Sequence, residues 1–554
     1  MKGRTLVCLA AFALWLGLIG CEKGRSPGGA SSGLGSVTQP TADAGTASRP
    51  TVRLVLLTDL AGAIAPCGCV KDQVGGLDHL GNWLLHDRAH TPVPLVAAAG
   101  PLLFMDDKGE GDRADQDERK AAAIADVLRA LNFVAFAPGI NDWVNGEDGL
   151  VKLAHRSGAA IIAGSIPAGP APFVSAIVKD AGGIKVGFVG FGQTLPTSAG
   201  SEAGAADPRE VVAHGVDLAK QQGASVLIAL AAVGRDEAKQ IAQAIPELTA
   251  IVVGSPRASG EENTSAPQGE QVGGVIIVQA GNHLQSIVLL DLYVRDHVSP
   301  GHVIRFADAT GLERSNERED LAKRIDDLHD KISMWSRDPT FPKADMEARK
   351  RDLASLEEER LRLDVKPPPA QGSFFRYSLR EVRQSMGTDP TIQTQMSTYY
   401  AMVNTTNQIA LADRLPKRPA PGRATYVGVT ACARCHKPAL AMWKHTWHAN
   451  AYGTLTAFSR EFNLECVGCH VTGYNEPGGS TVTHVDKLQG VQCEVCHGPG
   501  SRHVAEPTDE RAIIAKPNAD RCLDCHHPPH VEQFDAVAKM KDILGPGHGM
   551  PLKK

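Results

Sequence analysis

The sequence predicts three kinds of structure in one chain: an α/β layered domain, a helical hairpin, and a small C-terminal domain that is mainly α-helical or irregular. Short β-rich runs alternate with helical patterns over residues 51–295, as expected when helices cover a sheet. Two densely charged helical patterns separated by prolines follow over residues 300–366. Residues 425–554 contain little continuous apolar sequence and many Gly, Pro and His residues. A chain of 554 residues is also too long for one compact domain, so a multidomain protein is expected.

The N-terminus has the pattern of an export signal. Lys2 and Arg4 precede an apolar stretch that is short for a membrane-spanning helix, and Leu18-Ile19-Gly20-Cys21 ends it. This ending resembles the lipobox of bacterial lipoproteins, which implies a signal peptide over residues 1–20, a lipid on Cys21 and attachment to a membrane. An uncleaved anchor and a non-lipidated signal peptide are the alternatives. By the same resemblance, Glu22 in place of an aspartate implies the outer membrane, facing the periplasm or the cell surface.

Residues 21–50 are rich in Gly, Ser, Ala, Thr and Pro, which predicts a flexible tether. The formal net charge of the chain is −5, and it becomes more negative when Lys2 and Arg4 leave with the signal peptide. A nucleic-acid partner is therefore not expected.

The α/β domain is predicted over residues 51–295. One helix is expected at 115–131, where Ala121, Ile124 and Leu128 share a face. Strands are predicted at residues 52–57, 95–99, 133–137, 160–163, 186–189, 226–230, 250–253, 275–279 and 287–292. The sheet should be packed between helices.

The charged segment over residues 300–366 predicts an antiparallel helical hairpin. Its helices are expected at 316–337 and 344–363, and Leu321, Ile325, Leu328 and Ile332 repeat at helical spacing in the first. Its expected role is that of a spacer or docking arm, with the charges on a solvated face. A helix-rich connector and a proline-containing linker are predicted over residues 367–424.

Four copies of Cys-x-x-Cys-His lie in the last quarter of the chain, and this spacing is the attachment site of c-type haem. In each copy two thiols bind the vinyl groups of one haem, and the adjacent histidine reaches the iron. The predicted attachment cysteines are Cys432, Cys435, Cys466, Cys469, Cys493, Cys496, Cys522 and Cys525. The predicted proximal ligands are His436, His470, His497 and His526. A pair of zinc sites is the alternative, but zinc sites do not require a histidine after each cysteine pair. Four haem c groups are expected.

The wider C-terminal sequence resembles the tetrahaem cytochrome c-554 type family. The resemblance rests on Trp443-Lys444-His445-Thr446-Trp447-His448-Ala449 and on Gly490-Val491-Gln492-Cys493-Glu494, which continues into His497-Gly498-Pro499-Gly500-Ser501-Arg502-His503. It implies that His448 and His503 are distal iron ligands, with His548 and His530 as weaker candidates. The other candidates, each as readily a surface side chain, are His445, His484 and His527. The family includes one five-coordinate haem, so the sequence leaves open whether every iron has two protein ligands.

Residues 51–295 resemble the metallophosphatase domain of periplasmic 5′-nucleotidases. The segments Leu57-Thr58-Asp59-Leu60-Ala61-Gly62, Gly75-Gly76-Leu77 and Gly139-Ile140-Asn141-Asp142 occur in the order of that family. Asp59 is retained, but the other metal-ligand positions carry residues unsuited to a two-metal site, namely Ala61, Pro101, Ile140, Asn141, Ala232, Pro256 and Ala258. No dinuclear metal site is expected.

Cys67 and Cys69 are the cysteines that neither haem attachment nor the N-terminus accounts for. Pro66-Cys67-Gly68-Cys69 follows the first predicted strand, where active-site loops of α/β folds gather. With Gly75-Gly76-Leu77 it resembles the UshA-like (seleno)protein group, which favours a redox-active thiol pair. A static disulfide, a metal-binding role and an idle remnant are the alternatives.

These observations predict a lipid-anchored tetrahaem cytochrome that transfers electrons to or from redox partner proteins. Its nucleotidase-like domain is expected to supply a docking surface or a thiol redox centre. The alternatives are a redox enzyme in which Cys67 and Cys69 act on a substrate, a nucleotidase with an atypical site, and a purely structural front domain. If the protein is an enzyme, an oxidoreductase is expected rather than a hydrolase.

Overall fold

The computed structural model describes residues 49–551 apart from 67–72, 89–91, 110, 165–172, 195–205, 259–262, 296–300, 337–340, 365, 529 and 532–533. The described residues belong to one compact unit. The predicted signal peptide, Cys21, most of the tether, Cys67 and Cys69 lie outside the described residues. Within the described part of the chain, no helix is both long and apolar enough to cross a membrane.

The strands and helices are numbered in chain order. The strands are β1 (Val52–Thr58), β2 (Leu95–Ala99), β3 (Phe133–Ala137), β4 (Ala160–Ile162), β5 (Phe173–Val174), β6 (Ala176–Ala181), β7 (Ile184–Phe191), β8 (Val226–Ala232), β9 (Ala250–Gly254), β10 (Glu270–Val272), β11 (Val275–Val278), β12 (Ser286–Tyr293), β13 (Ala307–Asp308), β14 (Phe374–Glu381), β15 (Gly545–Pro546) and β16 (Gly549–Met550). The α-helices are α1 (Leu77–Arg88), α2 (Ala114–Ala130), α3 (Gly146–Ser157), α4 (Pro208–Gln221), α5 (Arg235–Ala244), α6 (Ser315–Trp335), α7 (Lys343–Asp364), α8 (Pro390–Ala410), α9 (Val429–Cys432), α10 (Lys437–Trp443), α11 (Ala451–Thr456), α12 (Val467–His470), α13 (Cys493–His497), α14 (Ser501–Ala505) and α15 (Ala536–Ile543).

Two mixed sheets form the centre of the α/β domain. The first has eight strands in the order β13-β14-β12-β1-β2-β3-β4-β5, and β1 to β5 run parallel. The second has six strands in the order β10-β11-β9-β8-β7-β6, with β7, β8, β9 and β11 parallel. Parallel neighbours need long crossovers, which helices supply here.

The side chains of β1 show how the layers are built. Leu54 and Leu56 point into an apolar core between the two sheets, whereas Val55 and Leu57 point into a second core beneath helices. This alternation follows from the two-residue period of a strand. The second core is covered by α1, α2, α3 and α8, and a third core lies between the other sheet and α4 and α5. The resulting order of layers is helix, sheet, sheet, helix, which confirms the predicted α/β layered fold.

The helical hairpin consists of α6 and α7, which lie within two residues of their predicted bounds. Leu321 and Ile325 of the predicted apolar stripe are buried, whereas Leu328 and Ile332 are only partly buried. The first half of α6 therefore buries its apolar stripe, whereas the second half leaves it partly exposed.

Residues 374–410 differ from the predicted connector. β14 pairs with β12 in the first sheet, and α8 packs on α2, so both elements belong to the α/β domain. Phe375 and Tyr377 alternate into the core between the sheets, while Arg376 lies between them in sequence and Ser378 follows. The proline-rich stretch before β14 and the charged residues within it hide this strand from sequence patterns.

The C-terminal domain contains short helices and a small apolar core. That core consists of Tyr452, Val467, Val471, Val482 and Val485. Several large apolar side chains stay exposed, and Trp447 is 85% exposed. So small a core cannot by itself offset the chain entropy of more than a hundred residues, so further apolar mass is needed here.

Candidate functional site

The four Cys-x-x-Cys-His segments adopt short helical turns. α9 ends at Cys432, α12 contains Cys469 and His470, and α13 spans Cys493–His497. The fourth segment begins in a 3-10 helix over Ala519–Asp524. A helical turn places residues three apart on one side of the chain, so both thiols of a segment can reach one porphyrin edge.

Three of the four segment histidines face a second imidazole. The ring centres of His436 and His503 lie 6.2 Å apart, and those of His448 and His526 lie 6.1 Å apart. The ring centres of His497 and His548 are also 6.2 Å apart. A metal–imidazole bond measures about 2 Å, so two imidazoles on opposite sides of one metal ion place their ring centres about 6 Å apart. The three pairs therefore fit a haem iron with two histidine ligands.

His470 of the second segment differs from the other three. Its Nδ1 donates a hydrogen bond to the carbonyl oxygen of Ala451 at 2.7 Å, which leaves Nε2 as the atom with a free lone pair. Within the described residues, no second imidazole faces His470 at the separation seen in the other three pairs. His530, a weaker candidate distal ligand, lies beside His527 with a ring separation of 5.8 Å.

Backbone carbonyls also orient the two imidazoles of one pair, those of His497 and His548. The Nδ1 atoms of His497 and His548 donate to the carbonyl oxygens of Ile514 and Ile543, at 2.6 and 2.8 Å. A carbonyl oxygen only accepts, so the hydrogen is on Nδ1 in both rings and Nε2 is available to a metal. Burial lowers the pKa of His448 and of His526, which favours the neutral form that ligates iron.

The cysteines of different segments lie close together in pairs. Cys432 and Cys493 are in hydrogen-bond contact, which lowers the pKa of Cys432 and raises that of Cys493. Cys469 contacts Cys525 in the same way, and this contact raises the pKa of Cys525. The first segment therefore lies against the third, and the second against the fourth.

Two polar residues, Gln492 and Glu494, hold the first segment in place. The carboxylate of Glu494 accepts hydrogen bonds from the backbone N–H groups of Val427, Gly428 and Gly500, at distances of 2.7 to 3.1 Å. The side-chain oxygen of Gln492 accepts from the N–H of Val429 at 2.6 Å. Both residues are nearly fully buried. The Gly-Val-Gln-Cys-Glu motif marks them, but only the folded structure shows that they join the first segment to the segment that carries His503.

Several residues at the positions where the nucleotidase resemblance places metal ligands lie close together at the carboxyl ends of the strands. Ala61 donates its N–H to Pro101, and Ile140 donates its N–H to Pro256. The Asn141 side chain accepts from the N–H of Ala258 at 3.1 Å and donates to a backbone carbonyl at 2.8 Å. The side-chain oxygen and nitrogen of Asn141 are thus both hydrogen-bonded to backbone groups. Over the described residues, no three or more His, Cys, Asp and Glu side chains are grouped as a metal site.

Asp59 lies in the same cluster. Its carboxylate accepts hydrogen bonds from the N–H and hydroxyl of Ser255, at 2.8 and 3.1 Å. Burial raises the pKa of Asp59 to about 6 despite these bonds. Asp142 is also buried, and burial raises its pKa to about 7, while it accepts hydrogen bonds from the N–H groups of Leu102, Leu103 and Gly139. Both carboxylates thus bridge backbone segments of this cluster.

Gly75 and Gly76 follow the segment that contains Cys67 and Cys69, and both have a backbone conformation that few other residues adopt. Their φ angles are 97° and 99°, values that strongly favour glycine. A side chain at Gly75 would press on the backbone of His283, and one at Gly76 would collide with Pro66 and His79. The described residues on both sides of the loop are therefore packed beside the end of β1, where His283 donates its N–H to the carbonyl oxygen of Asp59.

Comparison with known proteins identifies similarity at both ends of the molecule. Residues 431–498, which include the first three attachment segments, match the family described as cytochrome c554 and c-prime. Cytochrome c-554 of Nitrosomonas europaea is 37% identical over 93 residues, which cover 14% of this chain and 40% of that protein. The C-terminal segment is thus a cytochrome c554-type domain, and the chain matches less than half the length of this relative.

Solved structures of nucleotidases resemble a larger part of the chain. A 5′-nucleotidase precursor from Thermus thermophilus has a TM-score of 0.41 and 15% identity, over 66% of this chain and 61% of that chain. The NAD nucleotidase of Haemophilus influenzae has a TM-score of 0.33 and 18% identity, over 44% of this chain and 52% of that chain.

Proposed function

We propose that this protein is a tetrahaem c-type cytochrome that transfers electrons between redox partner proteins. The observation that carries the proposal is the set of three imidazole pairs at 6.1–6.2 Å, each joining an attachment-segment histidine to a histidine distant in sequence. When bound, haem supplies a one-electron redox centre, and two histidine ligands favour electron transfer over binding of small molecules.

The roles of the chain's own residues follow from their placement. Eight cysteines in four segments would provide covalent attachment, and His436, His497 and His526, each 6.1–6.2 Å from a second imidazole, would each hold one iron together with that imidazole. The contacts between Cys432 and Cys493 and between Cys469 and Cys525 support close haem edges. His470 lacks such a partner among the described residues, so its haem is the candidate for a five-coordinate site.

A haem count tests the proposal. The purified mature protein should give four haems per chain in a pyridine haemochrome assay, and acid acetone should not extract them because thioether bonds hold them. The same assay on a variant with Cys522 and Cys525 both changed to Ser should count three. A wild-type count of zero accompanied by bound zinc would overturn the proposal.

We also propose that the protein is a lipoprotein of the outer membrane, because an export signal precedes Cys21 in a lipobox-like sequence. The tether would let the folded domains stand away from the lipid surface. Haem attachment also needs an exported chain, so the two proposals agree.

The Cys67–Cys69 pair is proposed as a thiol redox centre of the α/β domain. The packing of Pro66 and Gly75 near His283 and Asp59 supports this. The residues on either side of the cysteine pair thus lie at the strand ends, where α/β folds bind their substrates. Two cysteines one residue apart can close only a tight ring, which makes their disulfide comparatively easy to reduce.

Alkylation at controlled potentials tests the thiol pair. In the oxidised protein Cys67 and Cys69 should resist alkylation, and both should be labelled once the haems are reduced without an added thiol reductant. The Cys67→Ser variant, which cannot form the disulfide, should be labelled at Cys69 at every potential. If the wild-type cysteines stay blocked while every haem is reduced, the loop is structural and the domain is better explained as a docking surface.

A further inference from the structure

A buried polar seam joins the α/β domain to the cytochrome domain. It is formed by Gln116 and Lys120 of α2, Asn407 of α8, and Asn463 and Glu465 of the segment before Cys466. Gln116 is 1% exposed, donates to Asn463 at 3.2 Å, and accepts from Asn407 and from the N–H of Leu464 at 2.9 and 3.0 Å. Each polar atom of its amide is thus used across the boundary, which fixes the segment before Cys466 against α2.

An ion pair in the seam connects the two domains. The Lys120 ammonium lies 2.5 Å from a carboxylate oxygen of Glu465, and Lys120 is only 3% exposed. Lysine is rarely buried to this degree unless it is paired. Burial alone would raise the pKa of Glu465, but the positive charges of Lys120 and Arg113 outweigh that effect and lower it. Glu465 is therefore ionised at neutral pH.

The pair lies next to the second attachment segment. Glu465 precedes Cys466 in the chain, and burial together with Glu465 raises the pKa of the Cys466 thiol to about 12, while Arg460 and Lys120 oppose the rise. These charges are close enough to act on the sulfur that would form a thioether bond. They would then also act on a haem held by this sulfur, because the Lys120 side chain is only 4% exposed and that of Glu465 is 25% exposed, so solvent screens the two charges only in part.

We propose that the Lys120–Glu465 ion pair sets the reduction potential of the haem attached at Cys466 and Cys469. The α/β domain would thereby act on electron transfer through a charge supplied by α2, in addition to any docking or thiol role. The inference rests on the proposed haem function. Reduction adds one negative charge to a haem, so a nearby cation favours the reduced state and a nearby anion favours the oxidised state.

This electrostatic reasoning gives opposite signs for the two partners. Lys120→Met removes the cation that lies against Glu465 and leaves the more distant Arg113 as a partial offset, so the potential of one haem should fall. Glu465→Gln removes the anion and leaves Lys120 with Asp117, at 3.8 Å, as its remaining carboxylate, so the potential of the same haem should rise. The variant carrying both changes should lie between them, close to wild type, because both charges are gone. A purely packing role would lower stability in both single variants without producing opposite shifts.

The test is a spectroelectrochemical titration of the full-length holoprotein and the three variants, each first shown to carry four haems. Lys220→Met is the matched control, since Lys220 pairs with Glu247 within the α/β domain at 2.8 Å, and it should leave all four potentials unchanged. Lys120→Arg keeps the charge and should keep the potential near that of wild type.

Shifts of equal sign in the two single variants, or no shift in either, would overturn the proposal. If Lys120→Met does not assemble, Glu465→Gln alone decides, because its haem must become easier to reduce. Absence of haem from the wild-type protein would instead refute the proposed function itself.

Discussion

Replacing His503 with alanine is expected to open one haem to carbon monoxide while all four haems stay attached. The imidazole of His503 faces that of His436 across 6.2 Å, the spacing of two ligands on one iron. Attachment depends on Cys432 and Cys435 and on His436, which this substitution does not touch. The reduced variant should therefore bind one more carbon monoxide per chain than the wild type, which the Soret difference spectrum measures by titration.

His329→Ala is the control for this experiment. His329 lies in α6 of the helical hairpin, outside the cytochrome domain, and its side chain is 63% exposed. Its replacement should not change the number of carbon monoxide molecules bound. An unchanged count in the His503 variant, with four haems present, would show that His503 is not the distal ligand.

The nine predicted strands of the α/β domain all occur because the residues of each form a mostly apolar run, whereas β5, β6, β10, β13 and β14 were not predicted. β2 and β3 occur at the predicted residues, since continuous apolar runs are typical of strands covered on both faces. β14 was missed because its burial depends on β12, which lies about 80 residues earlier, and its own sequence alternates aromatic residues with arginine and serine. A local pattern cannot show which distant strand will cover such a segment.

The haem site, too, could be predicted from the sequence only in part. The attachment segments follow from five consecutive residues, so sequence alone locates them. The pairing of His497 with His548 joins positions about 50 residues apart and depends on the contact between α10 and the C-terminal strands. His548 was therefore predicted only as a weaker candidate ligand. Lys120 was missed as a contributor to the site because it lies on a helix of the other domain, among residues whose charges are typical of a solvated surface.

Glu494→Ala is expected to have the largest effect on stability, because one carboxylate joins three parts of the cytochrome domain. Its oxygens accept hydrogen bonds from Val427, Gly428 and Gly500, and its residue is 1% exposed. Removing the carboxylate leaves three buried N–H groups without an acceptor, and each such group costs about 1–3 kcal/mol. We expect a loss of about 3–5 kcal/mol in the free energy of unfolding of this domain. Urea unfolding followed by the Soret band should show it as an earlier transition.

The position of Glu494 also predicts which haem should lose its distal ligand first during unfolding. Gly428 leads into the helix that ends at Cys432, and Gly500 leads into α14, which carries His503. Loss of the carboxylate therefore loosens both sides of the His436–His503 pair, and the haem between them should bind carbon monoxide at urea concentrations where the other paired haems do not. Glu510→Ala changes an exposed glutamate of the same domain and should unfold like the wild type. If Glu494→Ala and Glu510→Ala unfold alike, the carboxylate does not hold the first attachment segment, and the spacing of the imidazole pair must come from the haem itself.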